Sequence, residues 1–510
     1  MMICTCFFIE LRVVHVIILV KYTELKKYTV EKVVFWYLNC LITLIMKNFF
    51  FLIAISIFLM SLSTSDFVND WISSELFKPA SVSLTVYDLE KEEYLIEENS
   101  EKVLAAASTQ KLITTAIALH SLPSDYRFET KLAYTGSFRD GVLRGDIYIF
   151  PNFNPSLGNK RFNRDLSEIT GSISKWLVKN KIKVIQGIKV VDPTIDLETL
   201  PRTWIWEDIG NYYGANPCGT VFNENVLEIY FESGQPGEQT KIVKMIPDLP
   251  LLKIENRVKA SDVNKDLAYC FGGPYESGLV VEGTIPANRR KFKVRASLQR
   301  PQKALSFLVY NTLKQGGLTI KGKYGAYSSP KKNSKQFASI KSPLVQEIVK
   351  KTNHKSVNIL AENLLQNSYH FSKSEKNMNA WVKWYLETQM EVGVAGMQIK
   401  DGSGLSKFNA ISSKQIVQVL IKMRDNQAFK YSIPLAGKSG TVRSFLKNST
   451  LNGYVRCKSG SMTGVRSYAG YINNKSGGTF AFSVIVNNAD GLGKDVQAKI
   501  EELIDFIGLL

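Results

Sequence analysis

Between Ala80 and Lys102 the chain reads ASVSLTVYDLEKEEYLIEENSEK, with apolar and polar residues alternating on both sides of a charged turn. Successive strand side chains point to opposite faces, so this period of two predicts a hairpin. The next stretch, VLAAASTQKLITTAIAL (Val103–Leu119), changes to the spacing of an apolar helix that stops near Leu122 at Pro-Ser-Asp. From Tyr126 to about Gln302 the pattern is of many short strands punctuated by Gly, Asn and Pro, among them LRGDIYIF, IKVIQGIKVVD, NVLEIYF and KFKVRASL. Helical spacing returns in KALSFLVYNTLKQGG, in SPLVQEIVKKTNHKSVNILAENLLQNSYHF and in NMNAWVKWYLETQMEV. The end reads as two paired strands, YVRCKSGSMTGVRSYAGYINN, a third, GTFAFSVIVNN, and a closing helix, GKDVQAKIEELIDFIGLL. A hairpin and helix first, then helices, strands and a last helix, predict one α/β domain interrupted by a β-rich insertion.

The N-terminus is read separately. MKNFFFLIAISIFLMSLSTSD starts at Met46 with a lysine, continues with the apolar run Phe49–Leu62 and ends in small residues before Asp66. That is the layout of a secretory signal peptide, too short in its apolar part for a convincing membrane span. Residues 1–45 match no targeting pattern, and translation is expected to start at Met46; the alternative is that Val33–Ile45 joins the signal as an uncleaved anchor. A short helix, DFVNDWISSELF, follows. The expected organisation is therefore 1–45 upstream, 46–65 signal, 66–125 with 303–510 as a split domain, and 126–302 as an insertion of one or two subdomains.

Composition excludes more than it selects. The formal net charge is +18, but the lysines are scattered and no basic-aromatic interleave points to nucleic acid. The surplus fits an exported, solvated protein with some attraction to anionic cell-wall polymers. Outside the leader only Cys218, Cys270 and Cys457 remain, an odd set with no zinc spacing; a Cys218–Cys270 bridge is open. There is neither an HExxH nor a GxSxG, which argues against metallohydrolase and α/β-hydrolase chemistry.

Within the apolar helix, Ser108 and Lys111 stand one turn apart. Residues three apart are neighbours on a helix, and a lysine kept from water has its pKa lowered and can take a serine proton. The spacing alone decides nothing, since it recurs at Ser172, Ser328, Ser329 and Ser444; a helix-start serine with a snorkelling lysine explains it as well. Two further stretches change the balance. KSVNILAENLL carries Ser356 and Asn358, placed to face one way in an extended turn, and VRCKSGSMTGVRSYAGYI carries Lys458-Ser459-Gly460 on a strand with its return strand behind it. A hydroxyl, an amide and a second lysine are the parts needed to pass on a proton and hold a peptide carboxylate.

With these motifs in this order, the chain resembles the low-molecular-mass class C penicillin-binding proteins, the D-alanyl-D-alanine carboxypeptidase/endopeptidase family. The resemblance extends over almost everything after residue 66, through AASTQKLITTAIAL, GDIYIFPNFNPSLG, WIWEDIGNYYGANP, FNENVLEIYF, KSVNILAENLL, DGSGLSKFNAIS and KSGSMTGVRSYAGYI. It implies an α/β (α+β) fold, a penicillin-binding/β-lactamase-like domain with an antiparallel sheet flanked by helices. It also implies hydrolysis of peptidoglycan stem peptides ending in D-Ala-D-Ala, or of cross-links, through an acyl-enzyme. β-Lactams would be the inhibitors, the location would be periplasmic or cell-envelope with at most loose membrane association, and no cofactor or metal would be needed. A catalytically idle relative and a β-lactamase are the alternatives; the intact motifs disfavour the first and the large insertion the second.

Residue by residue, the resemblance assigns Ser108 as nucleophile and Lys111 as its base, with Ser356 and Lys458 returning a proton to the leaving amine. Asn358 would bind the substrate's peptide amide, and Ser459 and Ser461 with Lys458 the terminal carboxylate. The backbone N–H groups of Ser108 and Ser461 would form the oxyanion hole. Asp208 in WIWEDIG and Lys407 in GLSKFN would recognise the charged side chain of a stem-peptide diamino acid, unless both are solvated loop charges. The chain departs from the family in having Ser459 for the usual Thr, and FPNFNPSLG, with Asn154, for a glycine-rich loop with an Asp. A second Lys-Ser-Gly, Lys438-Ser439-Gly440, competes for the third motif but lacks the strand-and-return pattern, so Lys458 is preferred.

Overall fold

The computed structural model describes residues 64–510 except 198, 274, 275, 277, 331 and 332, and before 64 only positions 39, 42, 43 and 46. The expected signal segment 46–65 and the run Val33–Ile45 therefore lie almost wholly outside the described residues. The chain divides into two compact units, Met1–Ser74 and Glu75–Leu510. In the first, residues 64–72 are helical, where DFVNDWISSELF predicts a helix. Among the described residues no helix is long and apolar enough to cross a membrane.

The second unit is organised by a five-stranded antiparallel sheet drawn from both ends of the chain. The hairpin forms β1 (Ser81–Asp88) and β2 (Glu93–Glu98), and the C-terminal run forms β3 (Val455–Met462), β4 (Val465–Asn473) and β5 (Thr479–Asn487). Their order is β3-β4-β5-β1-β2, with Ser81 opposite Asn487 and Cys457 opposite Gly470. β5 is a nearly unbroken apolar run because both its faces are buried: Ala481 and Ile485 lie on one, Phe480, Phe482, Val484 and Val486 on the other. A strand covered on both sides loses the alternation that marks a half-solvated one. On the Ala481–Ile485 side lie Leu112, Ala116 and Ile117 of α1 (Lys111–Ser121) and Ile416 and Leu420 of the helix Ser413–Lys422. Two further helices, α2 (Val345–Lys355) and α3 (Asn358–Ser372), pack against α1.

The excursion between α1 and α2 has two cores of its own. In the first, a five-stranded mixed sheet containing Glu129–Tyr134, Asp146–Phe150, Gly187–Val191 and Lys335–Lys341 is covered by helices Ser167–Lys179 and Pro301–Gln315. In the second, Leu227, Ile229 and Phe231 of one three-stranded sheet meet Val258, Val281 and Ile285 of another. The expected insertion, 126–302, ends too early. Leu305, Val309 and Leu313 of the helix Pro301–Gln315 are buried with Ile188, Val190 and Ile340, and Lys335–Lys341 pairs with Glu129–Tyr134. The excursion closes at Lys341. Helical spacing at residue 303 shows that a helix forms, not which core its apolar stripe enters. The open cysteine pairing is settled as well: Cys218, Cys270 and Cys457 are all buried and free.

Candidate active site

Ser108 lies on a single 3₁₀ turn, Ala107–Gln110, that runs directly into α1. The turn is entered through Ala107 at φ +46°, a left-handed conformation that a residue with a Cβ adopts only when its surroundings enforce it. Those surroundings are close. A Cβ on Gly404 would stand 2.0 Å from the Ala107 carbonyl oxygen, and one on Gly460 2.5 Å from that of Ala106 and 3.1 Å from the Ser108 nitrogen. The Ala106 carbonyl also accepts hydrogen bonds from Thr109 Oγ1 (2.7 Å) and Ser467 Oγ (2.6 Å), which ties the turn to β4. Small residues on both sides bring the Ser108 backbone against β3.

Lys111 is completely buried. Its Nζ donates to Ser108 Oγ (2.9 Å), Asn358 Oδ1 (2.7 Å) and the Ser403 carbonyl (2.7 Å). Burial pulls its pKa down to about 8, against the opposing pull of Asp401 and Glu362. The Asn358 amide is oriented from its other end, where Nδ2 donates to the Tyr213 carbonyl at 2.8 Å. That carbonyl only accepts, so Oδ1 must face the lysine. Asn358 thus orients Lys111 through Oδ1, and it lines the cleft with a second Nδ2 hydrogen beyond the one given to Tyr213.

Ser356 and Asn358 do not share an extended turn. Ser356 ends α2 at φ +55°, ψ +43°, Val357 is extended, and Asn358 is the first residue of α3. This left-handed step separates the two polar groups, which serve different lysines. Ser356 Oγ accepts from Lys458 Nζ at 3.0 Å, and the same Nζ donates to the Ser459 carbonyl at 2.7 Å. Lys458 is also fully buried, and burial followed by the charge of Lys111 holds its pKa well below the usual lysine range. The competing Lys438 is exposed in a turn. The residue that follows its copy, Thr441, still touches the strand of Lys458, because it hydrogen-bonds Ser459 through the two hydroxyls at 2.9 Å.

The loop Asp401–Asn409 supplies groups that the sequence reading did not assign. The Asp401 carboxylate accepts from the backbone N–H of Gly404 (2.8 Å) and Ser406 (2.7 Å), from Asn409 Nδ2 (2.9 Å) and from Trp204 Nε1 (2.7 Å). Glu362, buried on α3, accepts from the N–H of Gly402 (2.9 Å) and Ser403 (2.7 Å). Burial and Asp401 push the Glu362 carboxyl up to about 8, opposed by those N–H donors and by Lys111. Both carboxylates shape the loop that presents the Ser403 carbonyl to Lys111. Spacing offered one signal, since DGSGLS has the Gly and Ser content of a tight carboxylate-centred loop; Glu362 inside an apolar helix offered none beyond its being a charge on a buried face.

Ser108, Ser356, Asn358 and Ser461 line one cleft of about 330 Å³, together with Asp208, Lys407, Tyr213 and Tyr269. Ser459 is absent from this lining and meets Thr441 instead. Asp208 is raised by partial burial, while a Tyr213 hydrogen bond and the Lys407 charge work the other way and Glu207 adds to the rise. The two opposite charges are thus within electrostatic reach of one another in the cleft of Ser108.

The sequence profile of the D-Ala-D-Ala carboxypeptidase 3 (S13) family matches residues 68–507. The chain belongs to that family. It is 26% identical over 482 residues to the D-alanyl-D-alanine carboxypeptidase DacB of Haemophilus influenzae, covering 89% of this chain and 96% of that one. It is 25% identical over 429 residues to a D-alanyl-D-alanine carboxypeptidase of Actinomadura sp., covering 80% and 78%. The crystal structure of penicillin binding protein 4 from H. influenzae superposes with a TM-score of 0.75 at 22% identity, covering 86% of this chain and 99% of that one. The fold is that of the penicillin-binding proteins, and the S13 enzyme is a serine-type carboxypeptidase.

The contact of β3 with the turn of Ser108 has a direct test. Gly460→Ala in this S13 protein places a methyl group against the Ala106 carbonyl, which cannot yield without moving Ser108. Covalent labelling by a fluorescent penicillin is expected to slow by about 10²-fold, the cost of a misplaced reacting group, while circular dichroism stays native. Labelling at the wild-type rate would show that the contact does not position Ser108.

Proposed function

We propose that this S13 enzyme removes the terminal D-alanine from peptidoglycan stem peptides, and opens D-alanyl cross-links, through an acyl-enzyme on Ser108. The observation that carries the reading is the partner set of Lys111. Two of its three neighbours, Asn358 Oδ1 and the Ser403 carbonyl, can only accept, so the two hydrogens of a neutral lysine go to them. The lone pair is then left for the one neighbour that can donate, Ser108 Oγ–H.

The steps follow from that arrangement. Lys111 takes the Ser108 proton as Oγ attacks the carbonyl between the two D-alanines, and the Ser108 and Ser461 N–H groups hold the oxyanion, each worth roughly 10²–10³ in rate. The carbon–nitrogen bond breaks as the leaving amine takes a proton delivered through Ser356 from Lys458. The proton that Lys111 took from Ser108 then passes to Lys458, which replaces the one given to the leaving amine and leaves Lys111 neutral again. Water attacks the ester and gives one proton to Lys111, which returns it to Ser108 Oγ as the carbon–oxygen bond of the ester breaks. Ser459 and Ser461, with Lys458 behind them, receive the terminal carboxylate. Asp208 and Lys407, beside one another at the cleft, suit the paired ammonium and carboxylate of a diamino-acid side chain. The substrate lies outside the cytoplasmic membrane, which fits Met46–Ser65 as a signal peptide and a mature chain starting near Asp66.

A fluorescent penicillin is expected to label the mature protein covalently, and Ser108→Ala to abolish the label without changing the fold. A labelled, folded Ser108→Ala protein would overturn the reading. The two Lys-Ser-Gly copies separate in kinetics: Lys458→Ala should lower kcat/KM by orders of magnitude and Lys438→Ala should leave it near wild type. A crippling Lys438→Ala would move the third motif.

The pH profile has a definite sign. Lys111 accepts a proton only when neutral, and its pKa lies at about 8. Below that value the neutral fraction falls about tenfold per pH unit, so log kcat/KM should rise with a slope near one and level off above about 8. A profile flat from about pH 6 to 9 would remove Lys111 as the base.

A further inference from the structure

The second Lys-Ser-Gly copy, Lys438-Ser439-Gly440, has no part in the chemistry above, yet the fold fixes its place closely. Leu435 forms an isolated bridge with Arg456, and the Cys457 N–H donates to the Pro434 carbonyl at 3.0 Å. The segment therefore follows the free edge of β3 as far as Cys457, and there the chain turns away. Ser439 Oγ accepts from the Leu435 N–H at 2.9 Å, and the Gly437 N–H donates to the carbonyl of fully buried Val442 at 3.0 Å. Gly440, at φ +62°, lets the turn approach the end of α2: a Cβ there would stand 2.7 Å from the His354 carbonyl oxygen, two residues before Ser356. The side chain this turn presents to β3 is that of Thr441, whose hydroxyl lies 2.9 Å from the hydroxyl of Ser459.

Ser459 and Ser461 stand two residues apart on β3, so their side chains share one face. The function proposed above, on which this inference rests, gives both hydroxyls to the terminal carboxylate. A serine has no γ-methyl group and can take any of three staggered χ1 positions, whereas a β-branched threonine is stiff there. A serine hydroxyl that must meet an anion from one direction therefore needs a hold from outside, and Thr441 supplies one. A hydroxyl has one hydrogen and two lone pairs. Ser459 can thus give its hydrogen to the carboxylate while its oxygen accepts from Thr441. We propose that Thr441 is a positioning residue, which fixes the Ser459 hydroxyl for the terminal carboxylate without touching the substrate. The chain of bonds runs from the Thr441 O–H to the Ser459 O–H to the carboxylate, and each bond in such a chain polarises the next. The second Lys-Ser-Gly copy then owes its place to the turn that carries Thr441, and not to its exposed lysine.

Two rates on the mature protein test this: steady-state cleavage of a D-Ala-D-Ala peptide, and covalent labelling by benzylpenicillin, since both ligands carry a carboxylate. Thr441→Val keeps the shape and loses the hydroxyl. It should lower kcat/KM and the labelling rate about three- to tenfold, the worth of one hydrogen bond, and leave kcat unchanged. Thr441→Ser keeps the hydroxyl and should stay close to wild type. Ser459→Thr added to Thr441→Val should recover most of the loss, because the new methyl group restores the hold on χ1. A merely structural defect would lower kcat as well and would not be relieved from position 459. Wild-type rates in Thr441→Val, equal impairment in Thr441→Ser, or no recovery in the double variant overturns the proposal. A wild-type protein that is labelled but cleaves no peptide strikes the proposed function instead, and the labelling rates of the same variants then decide on Thr441. One that does neither takes the carboxylate from Ser459 and overturns both readings.

Discussion

The structure is arranged around one unfavourable act, the removal of the Lys111 ammonium from water. A buried charge is tolerated only when it is paired and hydrogen-bonded. Here the partners come from three distant segments: Ser108 one turn back, Asn358 at the head of α3 and Ser403 in the Asp401 loop. Asp401 lies near enough to favour the charge of the amine, while Glu362, raised to about 8 by burial and by Asp401, adds to this only in its ionised form. Each partner is fixed in turn, Asn358 by the Tyr213 carbonyl and Ser403 by Glu362. The lysine's solvation shell has been rebuilt from protein, and several parts of the fold exist to hold it.

That shell explains where backbone strain collects. Ala107 and Ser356 both adopt left-handed conformations that cost residues with a Cβ roughly 1–3 kcal/mol each. Ala107 turns the chain so that Ser108 faces the cleft while Lys111 starts a helix, and Ser356 turns it so that one hydroxyl and one amide, two residues apart, reach different lysines. Gly404 and Gly460 are the counterparts on the facing loop and strand, where any side chain would collide with the nucleophile's turn. The sheet itself, assembled from the two ends of the chain, supplies the rigid edge on which Lys458 stands.

How much of this was legible follows from the range of each interaction. Ser108 with Lys111, Ser356 with Asn358, and Lys458 with its glycine are each local patterns visible in the sequence, and the helix of Lys111 and the strand of Lys458 are strongly periodic, so those two elements could be read as well, whereas the extended turn expected for Ser356 and Asn358 does not form. Glu362 and Asp401 could not. Their meaning depends on loop and helix meeting across residues 362 to 403, and a lone carboxylate reads as a solvated charge until that contact is known. The end of the excursion was missed for a related reason: the stripe Leu305, Val309 and Leu313 predicts burial but carries no address. The left-handed Ser356 was hidden because serine has no strong preference for that conformation.

The two buried lysines also constrain each other. The charge of Lys111 is one of the causes that lower Lys458, whereas Lys111 has Asp401 and Glu362 to favour its own charge. Lys458 has only neutral acceptors, the Ser356 hydroxyl and the Ser459 carbonyl. With the cleft free of substrate, the proton therefore belongs on Lys111 and Lys458 is the neutral member. A carboxylate at Ser459 and Ser461 reverses the preference, since an anion beside Lys458 favours its charged form and a charged Lys458 in turn disfavours charge on Lys111. Coupled groups titrate as a pair, so in the function proposed above the ligand's carboxylate would shift the proton away from Lys111 as Lys111 is called on to act as base. On that proposal the second lysine would have a role that neither a binding charge nor a proton donor alone would require: it would make the readiness of Ser108 depend on the free carboxyl end of the peptide.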